Sequence, residues 1–393
     1  MSLTVCLADA DSASCAAALL INAALLRILA FVNAAIRETG KDAAGPPRIM
    51  RRAVVGCVLI LVVLAVSVAL DVSYGETRVP VSSVARVVAS HLPLVGAMVA
   101  EADEMHDTIV WQIRTPRALL ALLVGALLAM AGAALQGLLL NPLADPYTVG
   151  VSSGAALGAG IATLAGLGGV LGGYGVPLVA FVFAVAAMLA VYALARSAGR
   201  VSIHSFLLAG IVVGSFLWAL LSFVLALAAG DPAEAQGRII AWLLGSFNAP
   251  DPWGYVRLAA PFAVVGIFAL CAFSRDLNVF AMGEETARHL GIETENLKAV
   301  ILGVASLITA AAVAVSGIIG FVGLVVPHIC RRLFGPDHRV LIPTAALSGA
   351  VLTVLADLAS RVILPPGGLP VGVVTAMLGA PFFLYLLRVS RST

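Results

Sequence analysis

Long apolar stretches separated by short polar segments run along most of this chain, and this alternation predicts membrane-spanning helices. A spanning helix needs roughly 20 mostly apolar residues, because the hydrocarbon core is about 30 Å thick and each helical residue rises about 1.5 Å. The pattern therefore predicts an all-α, polytopic membrane protein with about ten transmembrane helices. The predicted spans are 53–70, 118–140, 147–168, 176–195, 205–229, 254–273, 299–317, 318–334, 340–360 and 369–387.

One apolar tract, from Ala299 to Cys330, is too long for a single span, because a straight helix of that length would overshoot an ordinary bilayer. We expect it to be broken into two. Gly317 and Gly320 mark the predicted break, since glycine tolerates the backbone angles that a tight reversal needs.

Small residues recur inside the predicted spans, and in a membrane they are the residues that allow helices to approach closely. Their repetition predicts a tightly packed bundle. The glycines in question are Gly125, Gly132, Gly137, Gly154, Gly158, Gly160, Gly303 and Gly349.

The overall composition agrees with a bilayer as the surrounding solvent. Of 393 residues, 61% are hydrophobic and 11% are charged, which does not describe a water-soluble domain. The net charge of +2 is too small for a nucleic-acid-binding surface, so lipid is an expected partner and nucleic acid is not. The five cysteines show no metal-ligand spacing, and no metal site is expected.

The distribution of Lys and Arg predicts the orientation, since cytoplasmic loops retain positive charge. With ten spans, the best agreement places both termini in the cytoplasm and the chain in the cytoplasmic (inner) membrane. Residues 1–52 are interpreted as an atypical extension, disordered or amphipathic, and a translation start placed too far upstream is the alternative. Residues 53–388 form the predicted transmembrane domain, and 389–393 a cytoplasmic tail.

The chain contains no recognisable energy source of its own. Its two lysines, Lys41 and Lys298, do not stand in a phosphate-binding loop. Asp145 lies in a turn, and Asp357 lies near a span end with Arg361 one helical turn later, so no array of membrane carboxylates is expected to carry ions. No catalytic motif for an intramembrane enzyme is present either. An ion-coupled secondary transporter is the less favoured alternative to a channel driven by a partner protein.

The loop 274–298 is the predicted contact site for that partner. Its core, MGEETARHLGI, predicts a short amphipathic helix that Gly283 and Gly291 bound, with Glu284 and Glu285 in the first turn, where acidic residues are favourable. A solvated connecting loop is the alternative interpretation.

Seven long motifs, in order, resemble one family over about residues 50–388. They are RTPRALLALLVGA, GAALQGLLLNPLADPYTVGVSSGAALGA, FLLAGIVVGS, AWLLGSF, MGEETARHLGI, SGIIGFVGLVVPHICRRLFGPDHR and LPVGVVTAMLGAPFFLYLL. On these motifs the chain resembles the FecCD/cobalamin-type permeases, the membrane subunits of type II ATP-binding-cassette (ABC) importers for iron–siderophores, haem and cobalamin.

The resemblance implies a homodimer of ten-helix subunits with the translocation path along the two-fold axis. It also implies two copies of a separate ABC ATPase at the inner face and a substrate-binding protein outside. The chain would then be no enzyme and would bind no cofactor, because the partner ATPase uses the ATP. The expected cargo is an iron(III)–siderophore, and haem or cobalamin is the alternative.

The resemblance also implies roles for three sets of residues. The residues expected to dock the binding protein are Arg114, Arg117 and Arg361, because a guanidinium pairs well with a carboxylate. For Arg361, a local ion pair with Asp357 is the alternative. ATPase coupling falls to Gly283, Glu284, Glu285, Ala287, Leu290 and Gly291. The inner gate falls to Ser202, Ile203 and His204.

The gate residues depart from the family pattern. Relatives have small hydroxyl residues at this spot, whereas Ile203 and His204 are larger. A neutral imidazole binds iron, so His204 is a candidate haem ligand, with a structural or solvated histidine as the favoured interpretation.

Overall fold

The apolar runs fold into helices, as the pattern predicts. The computed structural model describes residues 46–75, 77, 79–91, 103–197, 200–228, 234–364 and 368–390. The helices are α1 Pro46–Ser73, α2 Val81–Ser90, α3 Glu104–Leu138, α4 Val151–Leu164, α5 Gly175–Ala195, α6 Ile203–Ala228, α7 Glu234–Leu243, α8 Pro252–Ala272, α9 Ser274–Phe280, α10 Glu284–His289, α11 Thr294–Ser316, α12 Val322–Phe334, α13 His338–Ile363 and α14 Val371–Ser390.

Irregular and extended segments complete the chain. The N-terminal part of α3 is a π-helix over Thr108–Arg114, and two 3₁₀ helices cover Pro146–Val149 and Leu167–Gly173. Two short strands, β1 Arg196–Ser197 and β2 Arg200–Val201, pair antiparallel between α5 and α6. The all-α fold class is confirmed.

Both predicted terminal segments lie mostly outside the described residues. Of the extension 1–52, residues 46–52 belong to α1, and of the tail 389–393, residues 389–390 belong to α14.

Each of the ten predicted spans falls on a helix, but they differ in length. Within the described part of the chain, 7 helices are long and apolar enough to cross a membrane, and there are 8 spans if α4 and the following 3₁₀ helix, bent by 99°, are counted together as one. Helix α12 has 13 residues. It is shorter than the predicted run 318–334 because the chain between α11 and α12 is not helical.

The break in the long apolar tract occurs at Gly317, as predicted. Helix α11 ends at Ser316, and Gly317 has a φ of 70°. A Cβ atom at position 317 would lie 2.1 Å from the carbonyl oxygen of Trp242, so the site also requires glycine for space. The predicted Gly320 also lies in this non-helical break, and Phe321, with a φ of 68°, is its other residue with a positive φ.

Helix α3 forms the centre of the bundle and packs against α8, α11, α12 and α13. Its crossing with α13 is close because both helices carry glycine. A Cβ atom at position 125 would lie 2.3 Å from the Gly349 carbonyl oxygen and 2.1 Å from Thr353 Oγ1. The Thr353 hydroxyl donates to the carbonyl oxygen of Ala121 at 2.7 Å, which joins the two helices by a side chain-to-backbone hydrogen bond.

Other predicted glycines also lie at close contacts between helices, but Gly303 does not. A Cβ atom at position 132 would lie 1.8 Å from the Gly323 carbonyl oxygen on α12, and one at position 154 would lie 2.6 Å from the Phe183 carbonyl oxygen on α5. At Gly303, in contrast, the nearest atom would be Met188 Cε at 3.9 Å. The prediction of close helix packing is confirmed, and Gly303 marks no crossing.

We expect Gly125→Ala to destabilise the protein, because the added methyl group meets a backbone carbonyl that cannot move aside; overpacking of this kind costs about 1–3 kcal/mol. Gly303→Ala is the matched control, since it makes the same chemical change in a helix where the added methyl group has only an ordinary van der Waals contact, at 3.9 Å, and gains about 1 kcal/mol of helix propensity. Thermal unfolding in detergent, followed by tryptophan fluorescence, measures both. Equal melting temperatures for the two variants would contradict the close crossing.

Candidate functional site

The predicted coupling segment forms the helix that its sequence indicates. Helix α10 has Glu284 and Glu285 in its first turn and Arg288 and His289 in its last turn, which suits the helix dipole at both ends. Gly283, with a φ of 117°, precedes it, and Gly291, with a φ of 86°, follows it.

The coupling segment presents apolar side chains inward from α10 and outward from the residues that flank it. Ala287 is fully buried against the protein, whereas Leu290 is 64% exposed and Met282 is 71% exposed. Two large exposed apolar side chains among charged groups are suited to contact with another protein.

Helix α9, which directly precedes α10, is fixed to the start of α13. The Asn278 amide donates to Asp337 Oδ1 at 2.7 Å, and the Asn278 Oδ1 atom accepts from the His338 backbone N–H at 2.8 Å. Hydrogen bonds from the Arg339 guanidinium, and then from Asn278, lower the pKa of Asp337 to about 2. Asp337 is therefore charged throughout the physiological range and holds this corner in place.

A buried lysine connects α10 to the predicted gate. The Lys298 Nζ atom lies 2.9 Å from Glu284 Oε1, 2.8 Å from Glu295 Oε1 and 3.0 Å from the Val201 carbonyl oxygen. Glu295 Oε2 in turn accepts from the Val201 backbone N–H at 2.9 Å. From the sequence, Lys298 is predicted to stand outside any phosphate-binding loop, and this contact is not predicted. The sequence pattern that could have indicated the contact is Glu295, three residues before Lys298, in a chain with only two lysines.

The predicted gate residues follow Val201 directly and begin α6. Ser202 and His204 are exposed, and Ile203 is half-buried and packs against the main core. The Ser202 carbonyl oxygen accepts from the Phe206 backbone N–H at 2.9 Å, which starts the helix. The structure therefore places the predicted gate next to the predicted coupling helix.

The predicted docking arginines lie at the opposite end of the α3–α13 pair and make internal contacts. Arg114 is 6% exposed, and its guanidinium donates to the carbonyl oxygens of Val72, Ser73 and Thr77. It therefore closes the C-terminal end of α1, where helix carbonyl groups lack partners of their own.

Arg117 and Arg361 share a buried carboxylate. Arg117 binds Asp357 in a bidentate manner, with Nε at 2.9 Å from Oδ2 and Nη2 at 2.8 Å from Oδ1. Arg361 Nε lies 3.2 Å from Asp357 Oδ2, and its Nη2 atom also pairs with Asp71. Both aspartate side chains are fully buried, whereas Arg117 is 18% and Arg361 is 14% exposed.

The local pair of Arg361 with Asp357 was foreseen as an alternative, but the pairs of Arg117 with Asp357 and of Arg361 with Asp71 were not. They join α1, α3 and α13, which are far apart in sequence, and only the folded structure brings them together. Each buried aspartate faces an arginine, so this cluster differs from an array of free carboxylates. Among the described residues, no group of three or more His, Cys, Asp or Glu side chains is placed to hold a metal ion.

Comparison with known proteins agrees with this architecture. The sequence profile described as the FecCD transport family matches residues 53–389. The chain belongs to the FecCD transport family. It is therefore a multi-pass permease subunit of the ABC importers, and it has the type II importer permease fold.

Individual relatives cover most of the chain. An uncharacterized ABC transporter permease protein, YvrB, of Bacillus subtilis is 46% identical over 331 residues, which is 84% of this chain and 92% of the relative. The cobalamin import system permease protein BtuC of Halobacterium salinarum is 42% identical and covers 88% of this chain and 90% of the relative. The vitamin B12 import system permease protein BtuC of Salmonella typhimurium is 40% identical over 72% of this chain and 84% of the relative.

A solved structure shares the fold. A metal-chelate type ABC transporter in an inward-facing conformation matches with a TM-score of 0.73 and 28% sequence identity, covering 84% of this chain and 98% of the other.

Removing one partner of the buried ion pair should destabilise the protein strongly. Arg117→Met leaves the fully buried Asp357 with Arg361 alone, and breaking a buried pair costs about 3–5 kcal/mol. The double variant Arg117→Met/Asp357→Leu should recover much of this loss, since neither charge of the pair is then left unmatched. Melting temperature in detergent is the measurement. The control is Arg257→Gln, because Arg257 is 76% exposed and its pair with Asp251 is long, at 3.8 Å. A single variant as stable as the control would contradict the assigned pairing.

Proposed function

We propose that this permease moves a bulky metal chelate across the cytoplasmic membrane, driven by ATP that a separate ATPase hydrolyses, and that a cobalamin-type corrinoid is its cargo. The observation that carries the proposal is family membership over residues 53–389, together with the exposed Met282 and Leu290 that flank α10. Two relatives at 40–42% identity are named as cobalamin or vitamin B12 import permeases, which favours a corrinoid. An iron(III)–siderophore remains the alternative cargo that the sequence predicts, followed by haem.

The proposed assembly contains two copies of this chain, two copies of an ABC ATPase and an extracytoplasmic binding protein. Helix α10, with Gly283, Glu284, Glu285, Ala287, Leu290 and Gly291, is the proposed ATPase contact. Ser202, Ile203 and His204 form the proposed inner gate, and His204 is a gate residue rather than an iron ligand. The chain itself holds no cofactor, and both termini lie in the cytoplasm in this proposal.

Docking of the binding protein is proposed at the surface around Arg117 and Arg361, with Arg114 beneath it. The two outer arginines keep part of their surface free, whereas the buried Arg114 holds α1. A carboxylate on a binding protein would meet a cluster whose three arginines outnumber its two aspartates, Asp71 and Asp357. This surplus of positive charge supports the choice of an acidic partner surface.

ATP-dependent uptake tests the function. The chain, reconstituted in liposomes with its ATPase and binding protein, should accumulate cobalamin only when ATP and the binding protein are both present. Collapse of the proton and sodium gradients should leave the uptake rate unchanged. Uptake by the permease alone, or its loss on gradient collapse, would instead indicate an ion-coupled transporter.

The cargo is tested on the binding protein. Cobalamin should quench its intrinsic fluorescence at lower concentration than a ferric siderophore or haem does. A ferric siderophore that binds more tightly than cobalamin would favour the alternative cargo and leave the importer function intact.

A matched pair of variants tests the docking surface. Arg117→Gln and Asp357→Asn disrupt the same internal ion pair, but only Arg117→Gln removes a positive charge that a partner could use. Arg117→Gln should therefore weaken capture of the binding protein, by about tenfold if one charged hydrogen bond is lost, whereas Asp357→Asn should not. A pull-down with purified binding protein, on samples matched for folded protein, measures capture. Equal capture by the two variants would exclude Arg117 from docking.

A further inference from the structure

We infer that Lys298 is a positioning residue that transmits the movement of α10 to the segment that begins α6. This inference rests on the proposed function, because it assigns Lys298 to the step at which ATP hydrolysis drives transport. It adds a residue that lies outside both proposed sets, the coupling helix and the inner gate.

The Lys298 ammonium has three hydrogen-bond donors, and each has one acceptor in the structure. The acceptors belong to three different elements: Glu284 opens α10, Glu295 lies in the first turn of α11, and Val201 ends β2. One charged group therefore fixes the relative positions of three elements that sequence separates by up to 97 residues.

Val201 is held at both of its backbone polar groups. Its carbonyl oxygen accepts from Lys298, and its N–H donates to Glu295, the same carboxylate that binds Lys298. A backbone held in this way cannot turn without breaking a hydrogen bond to a charged group. The next residues are Ser202 and Ile203, where α6 begins, so a displacement of Val201 must displace the start of α6.

Burial makes this connection stiff. The Lys298 side chain is 4% exposed, and an ammonium that loses its acceptors at such a site is not rehydrated cheaply. When a partner moves α10, Glu284 must therefore either take Lys298 and Val201 with it or leave one donor of a buried ammonium without its acceptor. The first alternative is the cheaper one.

Arg288 touches the same cluster but does not reach the gate. It pairs with Glu284 and donates to Thr294 Oγ1 at 3.0 Å, and its side chain is 43% exposed. Water screens this pair, and although Arg288 Nη2 also lies 3.7 Å from Glu295 Oε1, it forms no hydrogen bond to Val201 among the described residues. Arg288 supports the start of α10, whereas Lys298 connects it to α6.

Measuring transport and hydrolysis in the same vesicles tests the inference. The full complex with Lys298→Met should retain its ATPase on purification and hydrolyse ATP, but cobalamin transported per ATP should fall by about tenfold, within the range of a typical coupling between two sites. Lys298→Arg, which keeps the charge and the donors, should recover part of the ratio. Arg332→Gln is the control for loss of one positive charge, because Arg332 is exposed and lies outside this cluster.

Two results would overturn the inference. If the ratio of cargo to ATP in Lys298→Met is unchanged and both rates equal those of the wild type, Lys298 has no transmitting role. If the ratio is unchanged because uptake and hydrolysis fall by the same factor, Lys298 only supports the fold of α10. These results differ from the one expected if the proposed function is wrong, because the wild-type complex itself would then take up no cargo when ATP is added.

A second measurement tests the inference if the Lys298→Met complex does not assemble. Glu295→Gln is the milder variant, since it keeps the shape of the side chain and removes its charge. Spin labels at Ser205→Cys, in a background without other cysteines, report the distance between the two copies of α6. In the parent complex ATP should change this distance, and in Glu295→Gln the change should be lost while ATPase binding persists. An equal change in both complexes would overturn the inference.

Discussion

The close crossing of α3 and α13 is the contact on which the rest of the structure depends. Gly125 and Gly349 bring two backbones so near that no side chain fits between them, and the Thr353 hydroxyl joins them at Ala121. In lipid, apolar side chains gain little by meeting one another, so such short contacts and buried hydrogen bonds carry the association of helices. Helices α8, α11 and α12 then pack around the same central α3.

This crossing also fixes where the charged groups can lie. Helices α3 and α13 run antiparallel, with Arg117 beside Asp357 at one end and Gly137 beneath the His338 ring at the other. The buried ion pairs therefore occupy one end of the pair, and the α9–α10 segment, held through Asn278, occupies the other. A permease whose binding protein and ATPase act from opposite sides needs this separation.

Lysine and arginine serve different purposes at these two ends. The flat guanidinium of Arg117 takes one carboxylate through two parallel hydrogen bonds and suits a fixed pair between helices. The compact ammonium of Lys298 takes three acceptors from three elements and suits a junction that moves as a unit. Both groups are expensive to leave unpaired, which keeps each cluster together when the surrounding helices shift.

The all-α membrane fold, the positions of the apolar helices, the break at Gly317 and the short helix at 284–289 all follow from the order of residues along the chain. These features depend on local chemistry, because apolar run length, glycine and the charges of a helix turn act over a few neighbouring residues. Family membership was equally accessible, since the motifs are long and occur in order.

Only the tertiary structure decided which charges meet. Asp71, Arg117, Asp357 and Arg361 lie on three helices, and nothing in the local sequence shows that α1, α3 and α13 bring them together. The same holds for Lys298 and Val201, and for Gly303, which has the sequence of a contact glycine but room for a methyl group beside it. The physical reason is that these pairings depend on how distant helices cross, and the crossing is a property of the packed bundle rather than of any one segment.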